Sequence, residues 1–112
     1  MGRYHAALTL YEGAGDAVRD AATRNSFFDG HASAYADAIY TAARENDAAN
    51  ALALVQRYAG RAGAPGRAVA SQQLREYEQA LPMRGPNLTK EEIERNKAIA
   101  RILADARKAL AK

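Results

Sequence analysis

His5 and His31 are the only imidazoles this 112-residue chain can bring to acid–base or metal chemistry. His5 shares a helical face with Glu12, but two turns separate them by about 10 Å along the axis, too far for joint ligation of one ion. The i, i+4 histidine pair of metal-binding helices is absent. His31 stands close to Asp29 and one turn before Tyr35, where a hydrogen-bonded helix start outweighs a catalytic role. Glu91, Glu92 and Glu94 form the densest acidic cluster, and a helix N-terminus attracts acids into its first turn without any metal. The glycine-containing stretch from Gly60 to Arg67 lacks both the lysine and the hydroxyl of a phosphate-binding loop at their positions. Arg61 and Arg67 can hold an anion near a helix start, although connector composition explains them as well. With no cysteine there is no thiolate ligand, thiol nucleophile or disulfide. The sequence therefore predicts no catalytic, metal-binding or cofactor-binding residue, and no enzyme.

Binding chemistry is better represented. Six tyrosines against two phenylalanines favour positions where a ring is dry and its hydroxyl wet. Tyr35, Tyr58 and Tyr77 fall on core stripes with their hydroxyls at the edge, whereas Tyr40 lies off the stripe and is available to a partner. Tyr4 and Tyr11 suit a seam, either within the chain or to another chain. Residues 55–76 can be read as a helix-turn-helix, with Arg61, Arg67, Gln72 and Arg75 meeting phosphates or bases. Against that, Gly60 weakens the first helix, and Glu76 and Glu78 turn the second acidic, so an ordinary helical hairpin is preferred. Charge is uneven along the chain. Up to Gly60 seven acids face five bases; beyond it six face eleven, giving a net +3. A basic second half is compatible with nucleic acid, although solvated helices are the preferred explanation of it.

The elements that must position these residues are helical. Alanine is one residue in four, and it loses no side-chain freedom in a helix. A heptad phase of Tyr4, Tyr11, Val18 and Asn25, with Ala7, Ala14 and Ala21 between, predicts one helix from about Arg3 to Arg24. The alternative is a break at Gly13-Ala14-Gly15, with Asp16 capping a second helix. Residues 25–30 read as a corner around Phe27 and Phe28. Past it, Phe28, Ala32, Tyr35, Ile39 and Ala42 share a face up to about Asn46. Asp47 caps a third helix in which no side chain from Ala48 to Gln56 is charged. Its stripe of Leu52, Val55 and Ala59, widened by Leu54 and Tyr58, predicts enclosure at the centre of a bundle. Gly60 and Gly63 offer left-handed helix ends, and Pro65 suits a new first turn. A fourth helix from about Gly66 to Leu81 buries Ala70, Leu74, Tyr77 and Leu81, until Pro82 stops it. After a stiff connector, Thr89-Lys90-Glu91-Glu92 forms a capping box and Leu88 staples onto Ile93. The last helix presents Ile93, Ala100, Leu103 and Leu110, with Ile99, Ile102 and Ala106 alongside. No internal repeat stands out from the alanine background.

Together these features predict a single all-α domain over residues 1–112, a compact bundle of four or five helices ending in a capped C-terminal helix. Residues 87–112 can dock on a partner instead of their own chain, which makes Ile99 and Ile102 interface candidates beside Tyr4, Tyr11 and Tyr40. No apolar run approaches the roughly 20 residues of a membrane span. Nor does the start resemble a secretory signal, and residue 6 is alanine where myristoylation expects a hydroxyl. A place in the cytoplasm or inside an assembly is expected. The favoured function is a non-catalytic interaction subunit, an adaptor or a structural component of a larger assembly such as a virion. It would act on a protein partner or on a second copy of itself. A small nucleic-acid-binding regulator and a protein inhibitor of a larger enzyme are the alternatives.

Overall fold

Small side chains let helix axes approach closely, and the helix richest in buried alanine lies at the middle of this molecule. The computed structural model describes the backbone from Gly2 to Ala111, with side chains from Ala6 onward. Six helices and no strand make up the described residues: α1 (Gly2–Asp16), α2 (Ala21–Asp29), α3 (Ala32–Arg44), α4 (Ala48–Ala59), α5 (Ala64–Ala80) and α6 (Lys90–Ala111). The all-α expectation holds, with six helices where four or five were expected because the first segment divides.

Helices α3, α4, α5 and α6 form a four-helix bundle. Both α3 and α6 pack on α4 and α5 and on each other, whereas α4 and α5 sit at opposite corners. The pair α1–α2 lies against this bundle through α3 and α5. Helix α3 buries seven of its 13 residues, Ala32, Tyr35, Ala36, Ala38, Ile39, Ala42 and Ala43. Phe28, Leu54, Val55, Tyr58, Leu74, Leu103 and Leu110 fill the remaining core around it. The central helix is therefore α3 and not α4: Leu52 is 47% exposed, and Ala49 and Ala53 on the same face are exposed too. An uncharged stretch says how apolar a helix is, not which of its sides another helix covers.

Helix ends follow local chemistry where a signal exists. Asp47 accepts from the Asn50 amide at 3.0 Å, and Thr89 Oγ1 accepts from the Glu92 amide at 3.1 Å. Both are N-caps that satisfy amides left open in a first turn. Pro65 stands in the first turn of α5. Helix α3 ends with Asn46 at φ 57°, where the Asn46 and Asp47 amides return to the carbonyls of Ala43 and Ala42, both at 2.9 Å. That is the double hydrogen bond of a Schellman end. Gly60 and Gly63 do not take the left-handed conformation expected of them, since their φ values are −73° and −82°.

The first segment differs from its reading. Helix α1 runs through Gly13-Ala14-Gly15 and stops at Asp16, residues 17–20 form the break, and Asp20 rather than Asp16 caps α2 through the Thr23 amide at 2.8 Å. Gly15 is needed inside α1, because a Cβ there would lie 2.5 Å from the Phe28 ring. The corner expected over residues 25–30 contracts to Gly30-His31, since residues 25–29 remain helical. Asp29, the last residue of α2, accepts from the amides of Gly63 at 2.9 Å and Gly66 at 3.0 Å. It thus caps α5 from a different helix. Helix α6 docks on its own chain, burying Ile99, Leu103, Ala106 and Leu110 and pairing Arg107 with Glu78 of α5 at 2.6 Å. The expectation that residues 87–112 dock elsewhere is overturned by that burial.

Candidate functional site

Two surfaces collect side chains with something left to do. The first lies along α4 and α6. Ala48, Ala51 and Leu52 of α4 face Ile102, Asp105 and Ala106 of α6 across a recess of about 130 Å³. Ala51 and Ala106 line it with small side chains, and Asp105 is the one charged group in its lining. Ala49, Leu52, Ala53 and Gln56 extend the face along α4 without a charge. A helix whose outward side carries leucine and alanine in place of lysine and glutamate leaves apolar area in water, the feature that marks binding patches.

The second surface is the seat of α1, and it is polar and closed. Glu12 is only 8% exposed and accepts two hydrogen bonds from Arg57, Nε at 3.0 Å and Nη2 at 2.6 Å. Asp16 accepts from Arg61 Nε at 3.2 Å and Nη2 at 3.1 Å, and Arg61 also approaches Glu12 at 3.6 Å. These are fork-to-fork pairs, the geometry in which guanidinium and carboxylate match best. The hydrogen bond from Arg57 to Glu12 raises the Arg57 pKa, and that from Arg61 to Asp16 raises the Arg61 pKa. Beneath them the Tyr35 and Tyr58 rings meet at 4.4 Å. Burial, with the Glu12 carboxylate adding to it, pushes the Tyr35 hydroxyl up to about 12. Tyr58 donates to the Phe28 carbonyl at 2.9 Å, whereas the Tyr35 hydroxyl has no partner among the described residues.

The interface candidates scatter. Tyr4 belongs to α1, and its side chain, like that of His5, lies outside the described residues. Tyr11 is half-buried against His31, ring centroids 4.4 Å apart; His31 stands at the N-cap of α3 without the side-chain bond expected of a helix start, and its Nδ1 instead bonds the Phe27 carbonyl of α2 at 2.8 Å. Tyr40 is not the free ring it was expected to be. It stacks on Tyr77 at 4.3 Å with Arg44 over its ring, and Tyr77 donates to the Asp37 carboxylate. Ile99 is buried in the chain's own core, which corrects its assignment to an interface. Ile102 keeps partial exposure and lines the α4–α6 recess.

The nucleic-acid set does not assemble as a helix-turn-helix. Residues 55–76 span α4 and α5, which do not pack on each other as the two helices of that motif must. Arg61 is engaged by Asp16 and Glu12. Arg67 lines a recess with Ser71 and Leu110, its Nε buried without a partner, while Gln72 and Arg75 are exposed. The hydroxyls of Tyr35 and Tyr58, expected at the edge of the core, are buried with their rings.

The sequence reading places Leu52 in the core, weighs Glu12 only beside His5 and Asp16 only as a cap, and passes over Arg57. The partners Glu12 and Arg57 are 45 residues apart, so no local spacing announces them. Among the described residues no three His, Cys, Asp or Glu side chains are grouped to hold a metal, and no helix is long and apolar enough to cross a membrane. Compared with known families, curated proteins and solved structures, the chain matches none.

Proposed function

We infer that this chain is a non-catalytic protein-interaction module, an adaptor or structural component of a larger assembly, and that it receives a partner protein on the α4–α6 face. One observation carries the reading: α4 has no charge from Ala48 to Gln56, and the bundle leaves the side bearing Ala49, Leu52 and Ala53 open. An apolar side chain projecting from a partner helix fills the recess between Leu52 and Ile102, and a cation beside it pairs with Asp105. Such helix-in-groove recognition needs an apolar anchor and a polar rim. The module's role is positional, and turnover is no part of it.

The test is affinity capture from source cells with the wild-type chain and with Leu52→Glu, each with and without nuclease. A protein retained by the wild type, unaffected by nuclease and lost from Leu52→Glu, is the expected result. Capture indifferent to Leu52→Glu overturns the reading. Capture abolished by nuclease replaces it with the nucleic-acid reading, in which affinity also falls steeply as salt rises. Stoichiometric inhibition of a captured enzyme, lost in Leu52→Glu, would make the partner an enzyme and the module its inhibitor.

A further inference from the structure

The seat of α1 recognises a pattern. It takes Leu8, 1% exposed, one turn before Glu12, then Gly15 against the Phe28 ring and Asp16 against Arg61. Leucine, glutamate, glycine and aspartate at i, i+4, i+7 and i+8 match an apolar notch, two guanidiniums and an aromatic wall. The segment joining α1 to α2 is Ala17-Val18-Arg19-Asp20, with neither glycine nor proline. Its bend is kept by local bonds: the Val18 amide to the Gly15 carbonyl at 3.0 Å, Arg24 Nη1 to the Val18 carbonyl at 3.3 Å, and the Asp20 cap on the Thr23 amide and hydroxyl. The heptad spacing of Tyr4, Tyr11, Val18 and Asn25 spans this bend, as it would in the single helix from about Arg3 to Arg24 that the spacing predicts. In the bent form α1 leaves a face of Ala6, Leu10, Gly13, Ala14 and Ala17 uncovered, with Leu10 74% exposed.

We propose that α1 is exchanged between two copies of this chain, each placing its Leu8, Glu12, Gly15 and Asp16 into the seat formed by Arg57, Arg61 and Phe28 of the other. Every contact made in the seat is kept in the exchanged pair. What changes is the hinge, where residues 17–20 trade the Asp20 cap for helical hydrogen bonds. Exchange of an identical element through a straightened hinge is a low-cost route to a dimer. A straight helix over residues 2–20 is about 28 Å long, which carries α1 clear of its own bundle. The exchange is independent of the α4–α6 face, so Leu52→Glu leaves it unchanged.

Two copies with opposite charge reversals test the exchange. One carries Glu12→Arg and Asp16→Arg, the other Arg57→Glu and Arg61→Glu; in each alone the seat repels its own α1. Mixed, every α1 matches the other copy's seat, and native mass measurement should show a 1:1 heterodimer. A chain carrying all four substitutions restores complementarity within one copy and reports whether the reversed pairs fold. Folding of that chain without heterodimer formation by the mixed copies overturns the proposal. The wild-type background decides it separately. Asp20→Ala removes the cap that holds the bend and should raise the dimer association constant about tenfold or more. Arg19→Pro forbids a helix through the hinge and should leave monomer only. A dimer constant unmoved by both substitutions, or an Asp20→Ala chain that is wholly monomeric at millimolar concentration, overturns the exchange even if the reversed copies do not fold.

Discussion

Tyr35 and Tyr58 lie ring against ring with equal burial, yet their hydroxyls differ in one respect. Tyr58 donates to the Phe28 carbonyl, and Tyr35 donates to nothing among the described residues. Removing a made hydrogen bond costs about 1 kcal/mol, whereas removing an unmet polar atom costs little. Tyr58→Phe is therefore expected to lower unfolding free energy by about 1 kcal/mol, and Tyr35→Phe to change it by less than about 0.5 kcal/mol, read from urea titrations. A larger loss in Tyr35→Phe than in Tyr58→Phe would contradict this assignment. The same burial sets an alkaline limit. Burial raises both hydroxyls, Tyr35 to about 12, while an unfolded tyrosine ionises near 10. Between those values the folded chain holds protons that the unfolded chain releases, so stability present below about pH 10 is lost as pH rises toward about 12. Urea midpoints across that window should fall for the wild type and fall less for the double variant Tyr35→Phe, Tyr58→Phe.

Helices here bear burial unequally, and substitutions separate the covered sides from the open one. Leu103 of α6 is fully buried, so Leu103→Ala is expected to cost about 3 kcal/mol through lost transfer energy and the cavity left behind. Leu52→Glu, on the open side of α4, should stay within about 0.5 kcal/mol of wild type in the same measurement; a loss comparable to Leu103→Ala would mean that this side is covered. The difference was hidden in the sequence. Both leucines sit on apolar helical stripes, and periodicity gives the direction of a stripe without naming what faces it. Caps were readable because Asp47 and Thr89 act on amides three residues away. The clasp from Asp29 to Gly63 and Gly66, and the forks from Arg57 and Arg61, join residues 34 to 45 apart and leave no local trace. The break at residues 17–20 was unreadable for a related reason. Nothing in it opposes a helix, and the bend is kept by the Asp20 cap, the Val18 and Arg24 bonds beside it, and the distant pairing of Arg57 and Arg61 with Glu12 and Asp16.

At the scale of the whole molecule the shape is long, with extents of 54 × 26 × 19 Å and a radius of gyration of 14.9 Å, against about 13 Å for a compact domain of this length. Cohesion is concentrated around α3. Of the described side chains of α1, only Leu8 and Glu12 are buried, with Gly15 between them and the break, whereas α3 buries seven residues. Opening free energies should follow that gradient. Native-state hydrogen exchange is expected to release α1 amides well before those of α3, and equal protection of the two helices would show that α1 is an integral part of the bundle. The same gradient has a kinetic expression in the Asp29 carboxylate. By joining α2 to the start of α5 it closes a 34-residue stretch that contains all of α3 and α4, and closing such a stretch is affordable only after those two helices have packed. The clasp is then a late event on the folding route. In a chevron plot, Asp29→Ala should steepen the loss of native molecules by raising the unfolding rate, while the refolding arm stays nearly where it was. A slowed refolding arm would instead place that carboxylate in the nucleus.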